Sequence, residues 1–98
     1  MLTGKQVRYL RSLGHHLQPV VMVGKEEVND QVIASVDQAL LTHELIKVRL
    51  QEGCTTPRAK VAETLAQGTG AEVAQVLGRT ILLYRTSDKN LIELPKAR

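Results

Sequence analysis

Apolar positions near the start of the chain recur with helical spacing. Val7, Leu10, Leu13 and Leu17 lie three or four residues apart, and at about 100° per residue Lys5, Arg8, Arg11 and His15 fall on the opposite side. Thr3 with Gln6 three residues later makes a capping box, and Gly14 offers a stop, so a helix is predicted over residues 3–13. Pro19 ends that element, and the apolar run Val20-Val21-Met22-Val23 reads as a short buried strand. Gly24-Lys25-Glu26-Glu27 turns the chain into a second helix over 29–43. Asn29 is its N-cap, Asp30 suits the positive end of the dipole, and Val28, Val32, Val36, Ala39 and Leu40 form its apolar stripe.

Period-two alternation follows. Ile46, Val48 and Leu50 point one way and Lys47 and Arg49 the other, which predicts a half-buried strand over 45–50 with a basic second face. After a loop over 51–55, Thr56 as cap and Pro57 at the first helical position start a third helix. Val61, Ala62, Leu65 and Ala66 supply its buried face and Gly68 closes it. Segments 72–77 and 80–85 read as two strands of a hairpin turning at Gly78-Arg79. A polar tail runs from Thr86, with a short edge strand over 91–94. The order α-β-α-β-α-β-β gives an α/β fold: strand–helix–strand units favour parallel pairing and the final hairpin is antiparallel, so three helices accompany a mixed four-stranded sheet.

Composition narrows the picture without changing it. The 98 residues suffice for one domain, with a core over 2–85 and the tail over 86–98. Apolar residues make up 43%, with no Phe or Trp, so aliphatic side chains must fill the core. Cys54 is the only cysteine, which excludes an internal disulfide. No apolar run approaches the length of a membrane span, and no apolar segment follows Met1-Leu2-Thr3-Gly4-Lys5, so a cytoplasmic protein with no membrane partner is expected.

The net charge of +3 is modest, but its distribution is not even. Through Lys25 the charged residues are Lys5, Arg8, Arg11 and Lys25, with no acid. From Glu26 to Glu44 they are Glu26, Glu27, Asp30, Asp37 and Glu44, with no base. A solvated helix face usually mixes both signs, so the first helix is a candidate polyanion surface, which Lys47 and Arg49 could extend. The Gly24-Lys25 turn could bring backbone N–H groups and a helix N-terminus to a phosphate, although Glu26 and Glu27 oppose an anion there and a tight turn alone would explain the glycine.

Catalytic and metal chemistry find little support. Adjacent His15 and His16 point in different directions on a helix, His43 suits a helix C-terminus, and no zinc spacing or phosphate-binding glycine motif occurs. Cys54 has no local partner signature. The chain therefore reads as a binding protein without a cofactor, not an enzyme. With Tyr9 and Tyr84 the only aromatic residues, recognition by stacked rings is less favoured than recognition by Lys and Arg.

Several segments, in order and spacing, carry a family likeness: Leu2-Thr3-Gly4-Lys5-Gln6, Leu10-Arg11-Ser12-Leu13-Gly14-His15-His16-Leu17 followed by Pro19, Val23-Gly24-Lys25, His43-Glu44-Leu45-Ile46-Lys47-Val48, Thr69-Gly70-Ala71, and Gln75-Val76-Leu77-Gly78-Arg79 with Leu83-Tyr84-Arg85. Over residues 2–85 the chain resembles the CRM domain of chloroplast RNA splicing and ribosome maturation, in particular its single-domain bacterial form. The resemblance implies a fold similar to the C-terminal domain of translation initiation factor three, RNA as ligand, and association with large-subunit precursors. It also implies a Gly-x-x-Gly loop at the RNA surface. Here Gly24 is the first glycine, Lys25 and Glu26 are the middle residues, and Glu27 replaces the second glycine. The expected contact residues are Lys5, Arg8, Arg11, His15, Gly24, Lys25, Glu26, Lys47, Arg49, Arg79 and Arg85. The expected partner is ribosomal RNA, bound by a monomer. The alternative is an adaptor whose acidic second helix docks a basic ribosomal protein.

Overall fold

The computed structural model describes residues 2–96. Its elements are α1 (Gly4–Gly14), β1 (Pro19–Val23), α2 (Asp30–His43), β2 (Leu45–Leu50), α3 (Arg58–Thr69), β3 (Glu72–Leu77) and β4 (Thr80–Tyr84). The capping box forms: Thr3 Oγ1 accepts from the Gln6 backbone N–H at 3.2 Å, and the Thr3 N–H donates to Gln6 Oε1 at 3.1 Å. Asn29 caps α2 by accepting from the Val32 N–H.

The strands are ordered β1-β2-β4-β3. β1 runs parallel to β2, and β4 is antiparallel to both β2 and β3. The fold is thus the α/β arrangement of three helices and a mixed sheet that the order of elements predicts. Alternation along the strands splits the core. Val21, Val23, Ile46, Val48, Leu50, Ile81 and Leu83 face α2 and α3, where they meet Val36, Leu40, Val61 and Leu65. Leu45, Ala74, Leu82 and Tyr84 face α1 and pack on Leu10. The central strand β4 is covered on both faces, which is why Ile81 through Tyr84 are all buried.

α1 crosses its face of the sheet at close range. A Cβ on Gly14 would stand 2.7 Å from the Leu82 side chain, so the helix ends pressed against β4. Gly14 thus serves contact rather than a left-handed turn, and His15 follows as C-cap in right-handed helical conformation.

Three expectations need correction. Thr56 does not cap α3, and Pro57 is not its first helical residue. Pro57 is the N-cap, its carbonyl accepting from Lys60 and Val61 N–H, with no side-chain cap bond. Nor does Gly68 close the helix. It lies where α3 meets α2, with Ile33 2.7 Å from where a Cβ would be, and Gly70 at φ +75° supplies the left-handed cap. Residues 91–94 form no strand. Ile92 and Leu94 instead pack under α1, and the Gln6 side-chain amide donates to Pro95 O.

A buried carboxylate fixes that tail. Glu44, fully enclosed at the junction of α2 and β2, accepts hydrogen bonds from the Ser87 hydroxyl and N–H and from the Ile92 N–H. Burial by itself pushes the carboxyl upward. The bonds from the Ser87 hydroxyl and from the backbone of Ile92, Leu91 and Ser87 together outweigh it and hold the pKa below its ordinary value. Among the described residues, no helix is long and apolar enough to cross a membrane, and no group of three or more His, Cys, Asp or Glu could hold a metal ion.

Candidate nucleic-acid interface

The outward face of α1 presents Lys5, Arg8 and Arg11 to solvent, with exposed His15 just past the helix end. The helical period puts them there because Val7, Leu10 and Leu13 take the sheet side. Arg11 is partly anchored: its Nε donates to Ala74 O on β3 at 3.3 Å.

Lys47 and Arg49 lie on the same side of the molecule, because β2 directs alternate residues toward α1. Two cross-sheet rows carry them. One runs from Lys47 through Leu82 to Gln75. The next runs from Met22 through Arg49 and Thr80 to Leu77. α1 stops over Leu82, so the second row is left open to solvent. Lys47 Nζ donates to Leu17 O at 3.1 Å, which holds the ammonium beside the helix end. His15 and Lys47 share a recess of about 110 Å³ with Gln75, Leu77, Thr80 and Leu82, and among the described residues no carboxylate lines it.

At the end of the sheet where β1 and β2 stop and the β3–β4 hairpin turns, further cations collect. Lys25 packs its backbone and Cβ against Gly53, and the Gly24 Cα faces the Gln51 side chain, so the loops after β1 and β2 touch. The Leu50 N–H donates to Arg79 O, drawing the hairpin turn to the end of β2. Arg58, which the sequence patterns did not single out, donates from Nη1 to Gly78 O at 2.8 Å and lines a hollow of about 330 Å³ with Arg79 and Cys54. Only the topology reveals Arg58, since nothing within α3 points toward a turn some twenty residues away.

The Gly24–Glu27 loop is less suited to an anion than a glycine-framed loop. The Glu27 N–H closes a turn on Gly24 O at 2.9 Å. Glu27 takes φ +59°, a conformation that favours glycine, and its enclosed Oε1 accepts no hydrogen bond. Glu26 is exposed beside Lys25. The N-terminus of α2 already has the Asn29 side chain and Asp30 to answer its dipole.

Arg85 stands apart from the other cations. Its Nη1 donates to Asp37 Oδ1 and to Thr69 O, both at 2.6 Å, and Nη2 donates to Asp37 O. The guanidinium joins α2 to the end of α3 on the face away from α1. The same ion pair engages Asp37, one of the acids on which an acidic docking helix would depend.

Residues 2–85 match the family described as the CRS1 / YhbY (CRM) domain. The Bacillus subtilis protein named Probable RNA-binding protein YqeI is 48% identical over 96 residues, covering 97% of this chain and 100% of that one. A Haemophilus influenzae protein named RNA-binding protein is 36% identical over 95 residues, covering 97% and 96% respectively. A solution structure of a Staphylococcus aureus protein, 45% identical, superposes with a TM-score of 0.83 over 97% of this chain and 100% of that chain.

Proposed function

The chain belongs to the CRS1 / YhbY (CRM) domain family, and from that premise we propose that it is an RNA-binding protein that acts during ribosome assembly on precursors of the large subunit. The resemblance supplies the ribosomal context, and relatives named for RNA binding support the ligand class. The observation that carries the reading is the grouping of cations from distant parts of the chain. Arg8 and Arg11 from α1, His15 just past its end, and Lys47 and Arg49 from β2 share one side of the molecule, and Lys25, Arg58 and Arg79 lie at the adjoining sheet end. Such a surface fits a phosphate backbone. Arg85 has its donors engaged inside the fold and is left out of it. The protein works as a cytoplasmic monomer without a cofactor, by binding rather than by catalysis.

Salt dependence tests this. Affinity for large-subunit ribosomal RNA should fall steadily as salt rises, since each neutralised phosphate releases counterions. Reversing Arg8 and Arg49 together to Glu should weaken binding and make the salt slope shallower by about 1 for each phosphate no longer neutralised. Affinity indifferent to ionic strength would sink the phosphate reading. Unchanged association of the doubly reversed variant with large-subunit precursors would move the contact elsewhere.

A further inference from the structure

The recess beyond the end of α1 has a composition that phosphate binding does not explain. Leu82 and the largely exposed Leu77 line it with aliphatic surface, and Gln75, Thr80, Lys47 and His15 line it with polar side chains. The carbonyl of Leu17 keeps the ammonium in place. An isolated phosphate would gain nothing from the leucines, and a purely apolar ligand would leave the amide and ammonium unmatched. A flat ring with apolar faces and a hydrogen-bonding edge meets both demands.

Size narrows the choice. At about 110 Å³ and open on one side, the recess is smaller than the roughly 150 Å³ cavity that encloses benzene, so it has room for no more than one six-membered ring, seated partly in the opening. Gln75 offers both a donor and an acceptor, and Thr80 can serve either way. Cations flank the opening: Arg49 pairs across the sheet with Thr80, and Arg11 is tied to Ala74, the residue before Gln75. A strand that placed a base in the recess would have its neighbouring phosphates beside these guanidinium groups.

We propose that this recess receives a single unpaired pyrimidine base of the bound RNA. The proposal rests on the RNA-binding reading and adds to it that the RNA is single-stranded at this point. A base inside a duplex has its edge occupied and its faces stacked, and is unable to enter.

Fluorescence anisotropy at low salt would compare oligouridine, oligoadenosine of the same length and a blunt RNA duplex. Wild-type protein should bind oligouridine about fivefold more tightly than the other two, the order of effect of one additional net hydrogen bond. In the Gln75→Leu, Thr80→Val double variant that preference should vanish, while oligoadenosine and duplex binding and their salt slopes stay as in the wild type. In the unaltered protein, the Gln75 side-chain amide resonances should shift on addition of oligouridine and not of duplex, a readout that needs no variant to fold. No preference in the wild type, equal weakening of all three RNAs in the variant, or unmoved amide resonances would overturn the base site while leaving a phosphate-binding protein intact. Absence of salt-dependent binding to any of the RNAs would instead overturn the RNA-binding reading itself.

Discussion

Glu27 pays twice for its place in the chain. Its backbone sits at φ +59°, where a side chain costs on the order of 1–3 kcal/mol, and one carboxylate oxygen is enclosed without a donor. Glycine, the residue that the resemblance leads one to expect here, removes both penalties and a negative charge beside Lys25. Glu27→Gly is expected to stabilise the fold by about 1 kcal/mol, partly offset by the greater freedom of glycine in the unfolded chain. It should also tighten RNA binding, most visibly at low salt. Urea denaturation and an RNA titration check the two effects separately; a lower midpoint would mean that the Glu27 side chain has a stabilising contact that its geometry does not reveal.

Among the elements, Arg85 acts as a tie. It bridges Asp37 on α2 and the Thr69 carbonyl at the end of α3 from the residue just past β4. Arg85→Met should cost about 1–2 kcal/mol, since it strands a half-buried arrangement of acceptors while the exposed side of Asp37 recovers water. RNA affinity should be unaffected once measured well below the melting point. A melt and a binding curve on the same sample decide this, and a weakened complex in a fully folded variant would return Arg85 to the interface. Much of the element pattern was legible in the chain. The alternation over Leu45–Leu50 and the caps at Thr3 and Asn29 are local signals, and the structure reproduces them. What local patterns misread was set by packing between elements. Gly68 resembles a stop but is small to admit Ile33, and residues 91–94 resemble a strand, yet only Ile92 and Leu94 turn inward, to pack under α1. The site shows the same limit. Helical and strand periods gave the sides of Arg8 and Lys47, yet the partners of Arg85, the place of Arg58 and the recess beside His15 each join segments far apart in sequence.

At the scale of the whole molecule, acid should loosen the tail before the sheet. Glu44 has its pKa lowered from 4.5 in the folded state, so it contributes stability above that value and loses it as pH falls through the lower folded value. Below that window the carboxyl is protonated in both states and the anchor for Ser87 and Ile92 is weakened. Glu44→Gln, which cannot titrate, should flatten the acid limb of the stability curve at the expense of stability near neutrality. Tyr84 acts at the other end. Burial, followed by the bond to Thr86 that works against it and the nearby Glu44 and Glu72 charges, leaves its pKa above 10.0, so stability present below the ordinary value is lost as pH rises through the raised one. Chemical denaturation across pH checks both limbs. An acid limb identical in wild type and Glu44→Gln would show that other carboxylates govern it.

The chain carries one thiol, and its location has a practical bearing. Cys54 borders the hollow that holds Arg58 and Arg79. A maleimide dye coupled to it would sit among the side chains proposed to grip phosphate. Such a conjugate would sense a docked polymer at first hand and also obstruct it, so a neutral reporter requires that cysteine replaced by serine and the label moved to the outer surface of α3.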